Sequence, residues 1–408
     1  MYRRFVEKKI RVALKDTPSI VLIGPRQCGK TTLVKQIIEK TWNFVTLDDI
    51  NQRQFAKSDP VGFIANNTNK RVAIDEVQRA PELFLPIKQA IDENRASGRF
   101  ILTGSANAMM LPTVADSLAG RMEVISLFPL AQCEIQGKSS TFLKKLLSGV
   151  APETKHIRVR DELITNILAG GFPEALSRKT ESRRIAWFHQ YILSIVQKDM
   201  KDLGDLEYLK IAPRLIQIIC QHSGNLINYT AVADALGVSR QTTTRYLQLL
   251  EQLFLYHALP AWHRNEHKRL IKTPKAHMVD SGLLCALRKI NKTKINKDPE
   301  LLGNILENYV LCELQRLASF YDEPLFFYHF RDKEQNEVDI VIETMSGDVF
   351  GIEVKSSATI RSDDFKGLKK LKEAAGKSFS AGVILYDGDH TNVIDGNIFS
   401  APMATLWE

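Results

Sequence analysis

Two groups of residues in this chain have the types and spacing to do chemistry. The first is Gly24-Pro25-Arg26-Gln27-Cys28-Gly29-Lys30-Thr31-Thr32. A loop that wraps a row of phosphates must turn backbone N–H groups inward, which the glycines permit, and it needs a cation against the β- and γ-phosphates. Lys30 supplies the cation and Thr31 a hydroxyl for magnesium, while Gly24, Pro25, Arg26, Gln27, Cys28, Gly29 and Thr32 complete the wrapping. Such a loop requires an acidic strand end beside it, and Val72-Ala73-Ile74-Asp75-Glu76 offers one. Asp75 would bind the magnesium water shell, and Glu76 would act as the general base that orients or deprotonates an attacking water. Thr103-Gly104-Ser105 closes a further apolar run, so a γ-phosphate sensor is expected at Thr103 or Ser105. Arg121 either reaches a neighbouring subunit's nucleotide or pairs with a local carboxylate. ATP and Mg2+ are the cofactors these residues imply.

The second group lies near the other end of the chain, in Glu337-Val338-Asp339-Ile340-Val341-Ile342 and Gly351-Ile352-Glu353-Val354-Lys355. Strand alternation puts Glu353 and Lys355 on one face, with Asp339 from a neighbouring strand. Two carboxylates can hold a magnesium ion that activates water against a phosphodiester, with the lysine orienting the nucleophile. Glu307 is the candidate that completes the metal set with Asp339 and Glu353. An amphipathic hairpin with solvated charges is one alternative, and an inactive domain that still binds nucleic acid is another. Against the hairpin, both acids sit in otherwise apolar strands, where an unmatched charge is costly.

The elements that must position these groups follow from the apolar pattern. Residues 19–23, 44–47, 71–74, 100–103 and 123–126 are short, apolar, β-branched runs bounded by Gly, Pro or Asp, and helical stretches at 30–39 and 81–92 lie between them. This alternation predicts a parallel sheet with helices on both faces. From 138 to 200 the pattern is helical, with Ile185, Phe188, Ile192 and Ile195 along one face. Residues 229–247 read as helix, Gly-containing turn, helix, with Ser239 capping the second helix. Arg240, Gln241, Thr243 and Arg245 would then line a helix able to enter a major groove, and the extended run 254–259 with the basic segment 268–275 would form a wing. Contact with a protein is the other reading of such a module. A helix at 301–319 and strands at 325–329, 337–342, 350–354 and 381–386 make a second α/β unit.

At 408 residues the chain exceeds one hydrophobic core, so two to four domains are expected. The formal charge of +8 favours a polyanionic partner or reflects a merely basic surface, and DNA is the partner expected. Five scattered cysteines without a C-x-x-C pair read as reduced thiols. No stretch approaches the ~20 apolar residues that span a bilayer, and no apolar leader follows Met1, so no membrane contact and a cytoplasmic location are expected.

Taken together, these motifs resemble the AAA+-superfamily ATPases that carry a C-terminal domain of unknown function. The resemblance runs through Gly24 to Thr32, Ile74-Asp75-Glu76-Val77-Gln78, Leu102 to Ser105, Leu118 to Arg121, Gly170-Gly171-Phe172-Pro173-Glu174, Lys272-Thr273-Pro274-Lys275, Glu337 to Asp339 and Ile352 to Ser357. It implies an additional-strand P-loop NTPase sheet with Glu76 as catalytic carboxylate, then a helical linker, a winged helix and a restriction-endonuclease-like α/β domain of the PD-(D/E)xK type. Cys28 stands where a small aliphatic residue is common. The expected domains are 1–135 for the ATPase core, 136–205 for a helical lid or linker, 206–275 for the winged helix and 276–408 for the nuclease-like domain. The expected activity is Mg-dependent ATP hydrolysis coupled to nucleic-acid binding and cleavage. The alternative is a signalling or scaffold ATPase whose C-terminal half binds a protein partner. Homo-oligomerisation is compatible with both.

Overall fold

The computed structural model describes residues 2–67, 70–104, 120–154, 159–202 and 206–408. The chain divides into two compact units, one of residues 3–130 with 252–254, the other of residues 131–251 with 255–408.

In the first unit, helix α1 (Glu7–Ala13) leads into β1 (Ser19–Ile23), α2 (Lys30–Ile37), β2 (Trp42–Thr46), α3 (Ile50–Ser58), α4 (Pro60–Asn67), β3 (Arg71–Asp75), α5 (Phe84–Glu93), β4 (Phe100–Gly104) and β5 (Met122–Ser126). The sheet order is β2-β3-β4-β1-β5, and every pair is parallel. Strands covered on both faces must be apolar along their length rather than alternating. Ile20, Val21 and Leu22 of β1 and Val72, Ala73 and Ile74 of β3 are accordingly buried without a break. Phe63, Phe84, Ile87 and Ile91 pack with Val21, Ile74 and Leu102 in one core cluster. Because β4 lies between β1 and β3, the ends of these three strands open side by side at one edge, where ligands bind in open parallel sheets.

The second unit combines helices with a mixed sheet. Its principal helices are α6 (Arg160–Ala169), α7 (Glu181–Asp202), α8 (Leu206–Gln221), α9 (Tyr229–Leu236) and α10 (Arg240–Gln252), followed by the antiparallel pair β6 (Tyr256–Leu259) and β7 (Lys275–Met278) with α11 (Glu266–Ile271) between them. Next come α12 (Ser281–Leu287) and α13 (Leu302–Ala318). The sheet follows with β8 (Leu325–Arg331), β9 (Glu337–Thr344), β10 (Val349–Lys355), α14 (Lys366–Ala375), β11 (Phe379–Tyr386), β12 (Asn392–Asp395) and β13 (Ile398–Pro402). Its strand order is β12-β13-β11-β10-β9-β8. Strands β8, β9 and β10 pair antiparallel, whereas β11 pairs parallel with both β10 and β13. The expected boundary between residues 275 and 276 falls inside β7, a strand that cannot be divided without opening its ladder to β6. No helix among the described residues is long and apolar enough to cross a membrane.

A buried ionic group pins the helices of this unit. Arg316 of α13 donates to Asp280 Oδ2 at 2.9 Å and to Glu313 Oε1 at 2.8 Å, with all three side chains shielded from solvent. The remaining lone pairs are also met. Asp280 caps α12 by accepting from Leu283 N at 3.0 Å and takes Gly171 N at 2.7 Å, while Glu313 Oε2 takes Gln132 N at 2.8 Å. Burial alone would push the Glu313 carboxyl up, and the Arg316 guanidinium opposes this. Arg316→Met would leave two carboxylates buried without a counter-charge, at a cost of about 3–5 kcal/mol. Chemical denaturation should show this loss in the transition of the second unit.

Candidate functional site

The loop after β1 owes its shape to how closely its backbone is packed. A Cβ on Gly24 would stand 2.1 Å from the Leu127 carbonyl oxygen, so only glycine fits there. Gly29 has φ 103°, a left-handed conformation that glycine reaches without strain, and it starts α2. Lys30, the first residue of that helix, is buried and folds back so that its ammonium donates to Gly24 O and Pro25 O, both at 2.9 Å. Arg4, from the segment before α1, holds the loop from behind. Its guanidinium donates to Cys28 O at 2.8 Å and to Phe128 O at 2.6 Å. Nothing in the loop sequence signals this contact, and only the fold brings a residue 24 positions upstream to it.

Asp75 ends β3 with its carboxylate almost wholly buried. A carboxylate out of water needs donors, and hydroxyls from three elements supply them. Thr31 Oγ1 donates to Oδ1 at 2.9 Å, Thr103 Oγ1 to Oδ1 at 2.6 Å and Thr46 Oγ1 to Oδ2 at 3.3 Å. The acidic strand end therefore meets the hydroxyl next to Lys30, as the sequence spacing requires for a shared metal and phosphate site. Thr103 is committed to Asp75 and also accepts from Glu76 N at 3.2 Å. Ser105 lies outside the described residues.

Glu76 is held in the left-handed region at φ 59°, unusual for a residue with a Cβ and a place where strain collects at working sites. Its carboxylate accepts from the side chain of Gln78, the last residue of the Ile74-to-Gln78 motif. Arg121 pairs with Asp92 through two hydrogen bonds, at 2.7 and 3.0 Å. Of the two roles open to it in the sequence, the local ion pair is the one seen.

The C-terminal carboxylates assemble differently from expectation. Glu353 and Lys355 do share a face of β10, with Lys355 Nζ 3.0 Å from Glu353 Oε1. Asp339 reaches β10 by accepting from Val354 N at 2.9 Å. Glu307, however, is engaged by Lys275, whose ammonium lies 3.0 Å from Glu307 Oε1, 3.0 Å from Glu337 Oε1 and 3.5 Å from Asp339 Oδ1. Among the described residues, no three His, Cys, Asp or Glu side chains are grouped to hold a metal, so the expected set of Glu307, Asp339 and Glu353 is not assembled. The physical reason is the lysine between two of its members. Burial would pull the Lys275 ammonium down, but Glu307, Asp339 and Glu337 outweigh it and hold the group charged. Burial and the Asp339 charge push the Glu353 carboxyl up to about 8. His277 and His329, both buried nearby, are pushed down, first by burial and then by Lys275.

In the helix-turn-helix segment, Ser239 Oγ accepts from Thr242 N at 3.0 Å and caps α10. Arg240, Gln241 and Arg245 are exposed, whereas Thr243 is buried with its hydroxyl on Ser239 O at 3.1 Å. Thr243 therefore does not line the exposed face. Of the basic run expected as a wing, residues 268–271 lie in a short helix, α11, whose Arg269 lies over Trp262 and Tyr328 and pairs with Glu343. Lys275, counted with the wing in the sequence, is buried in β7.

The first unit also resembles known proteins. Residues 16–136 match the family described as AAA domain. The first unit thus matches an AAA-type P-loop domain. Residues 160–294 and 302–406 match two families, each described as a domain of unknown function (DUF8612 and DUF4143). The chain is 28% identical over 359 residues to an uncharacterized protein of Mycobacterium tuberculosis, covering 88% of this chain and 74% of that one. An uncharacterized protein of Haemophilus influenzae is 24% identical over 222 residues, 53% of this chain and 50% of the relative. Among solved structures, the Walker-type ATPase of Pyrococcus abyssi aligns with a TM-score of 0.40 at 15% identity, covering 71% of this chain and 96% of that chain.

The Gly24 packing generates a direct expectation. Gly24→Ala must displace the loop from Leu127 O, so a fluorescent ATP analogue should lose binding while circular dichroism stays that of the folded protein.

Proposed function

We propose that the protein is a magnesium-dependent ATPase whose nucleotide cycle controls engagement of DNA by the helix-turn-helix of the second unit. The observation that carries the first half is the meeting of Thr31, Thr103 and Asp75 beside a loop closed by Lys30. These residues fit ATP and magnesium. The cradle at Gly24 admits no side chain, and a hydroxyl next to a carboxylate is the hard oxygen pair that magnesium takes. Bound with ATP, magnesium offsets charge on the β- and γ-phosphates. Lys30 would turn from its own loop carbonyls to the phosphates, and Asp75 would hold the metal's water shell beside Thr31. Glu76, released from Gln78, would receive the proton of the attacking water. Lys30→Ala should abolish ATP binding, whereas Glu76→Gln should retain it and lower turnover by about 100-fold or more. An enzyme-coupled phosphate assay beside a binding titration separates the two, and a fully active Lys30→Ala protein would remove the reading.

The DNA half is supported by the net charge of +8 and by the exposed Arg240, Gln241 and Arg245 on a capped helix. Strand cleavage has no part in this reading, because Lys275 takes up Glu307. A second reading, a scaffold whose C-terminal half binds a protein, is favoured by the well-exposed Leu270 and Ile271 on α11. Salt distinguishes the two, since phosphate contacts release counterions and make log affinity fall with log salt. Arg240→Ala and Arg245→Ala should each reduce the slope by about one. Absence of DNA binding at low salt would leave the scaffold.

A further inference from the structure

We infer that the basic turn between α12 and α13 grips the phosphate backbone of a nucleic acid without regard to base sequence. This rests on the proposed engagement of DNA and gives it a contact apart from the helix-turn-helix.

The ten residues from Arg288 to Lys297 hold five cations and no acid, and the first acid, Asp298, comes after them. With a net charge of +8 on the chain, the other 398 residues carry only +3. Two of the five cations are occupied. Arg288 is half-buried with Nη1 shut off from water, and Lys292 pairs with Asp161 of α6 at 3.1 Å. Lys289, Lys294 and Lys297 are exposed and form no ion pair with a described residue.

The backbone fixes where these three charges stand. Helix α12 closes with Lys289 N donating to Ala286 O at 3.1 Å and Ile290 N to Cys285 O at 2.8 Å. In this paired closure the residue at the place of Lys289 is left-handed and commonly glycine, and Lys289 has φ 56° there. A lysine kept where glycine fits more easily retains a charge at the expense of backbone strain, and such strain gathers at sites that serve a function. Asn291 Oδ1 then accepts from Lys294 N at 2.9 Å and starts a short helix, Lys292–Lys297. Lys294 and Lys297 are three apart on it and so share a face.

The other side chains of the turn select among polyanions. Ile290 and Ile295 are buried, which leaves Lys289, Thr293, Lys294, Asn296 and Lys297 as the exposed set. A surface that settles into lipid headgroups needs an exposed apolar face beside its lysines, and residues 288–297 expose none. Threonine and asparagine next to lysine are side chains that take phosphate oxygens without reading bases.

The test follows the full-length chain by fluorescence anisotropy of two labelled duplexes of unrelated sequence across a salt series. Lys289→Gly, Lys294→Gln and Lys297→Gln together should make the fall of log affinity with log salt shallower by about three, equally on both duplexes. Lys294→Arg with Lys297→Arg should keep the parental slope. Lys289→Gly alone should hold or raise Tm while making the slope shallower by about one, a combination that a merely structural lysine would not give. A triple variant with the parental slope, where Arg240→Ala with Arg245→Ala reduces it, overturns the inference and leaves the DNA reading standing. A parent that binds neither duplex at low salt overturns both. Binding to phosphatidylserine vesicles through the same three lysines, without binding to DNA, likewise overturns the inference and assigns the turn to a membrane surface.

Discussion

A charge taken out of water must be met by donors or by an opposite charge, and this protein is organised around the places where that requirement is satisfied. Asp75 is the first of them. Its carboxylate gathers Thr31 from the helix after β1, Thr46 from the end of β2 and Thr103 from the end of β4. The strand ends are thereby held in register with the loop that carries Lys30. Arg316 does the same for the second unit, joining Asp280 and Glu313 and through them the backbone at Gly171 and Gln132. In both cases every oxygen has a partner, which is the condition under which a buried ion ceases to be a liability.

The strand order explains how Thr103 comes to lie beside Asp75. β4 lies between β1 and β3, so the phosphate loop and the acidic strand end are not sheet neighbours. Thr31 crosses that distance directly to Asp75, and Thr103 at the end of the intervening strand adds a hydroxyl that donates to Asp75 while accepting from Glu76 N. The same position was expected to sense the γ-phosphate. A residue bonded to the carboxylate that would organise the metal can transmit a change at either place.

Much of the first unit was legible because parallel strands buried on both faces leave unbroken apolar runs, and Ile20 to Leu22 and Val72 to Ile74 are such runs. Pro18 and Gly24 bound the first and Asp75 ends the second. The second unit was less legible in its side-chain contacts than in its elements. Helix α10 carries its own correction, since Thr243, Tyr246, Leu247 and Leu250 recur at three- and four-residue spacing and are all buried. That period sets Thr243 on the inner stripe. Lys275 could not be placed this way. In Lys272-Thr273-Pro274-Lys275 it looks like one more surface cation, and only the pairing of β7 with β6 carries it inward to carboxylates 32, 62 and 64 positions away. Arg4 was missed for the same reason, because a single contact across the fold leaves no periodic trace.

Arg4 bears on how the ATPase domain can be cut out for study. The family match begins at residue 16, and a fragment trimmed to that boundary would keep every residue of the phosphate loop. It would lose the guanidinium that braces Cys28 O against Phe128 O. Such a fragment would carry a complete motif on a slackened loop, and a weak nucleotide affinity measured with it would describe the excision rather than the intact protein.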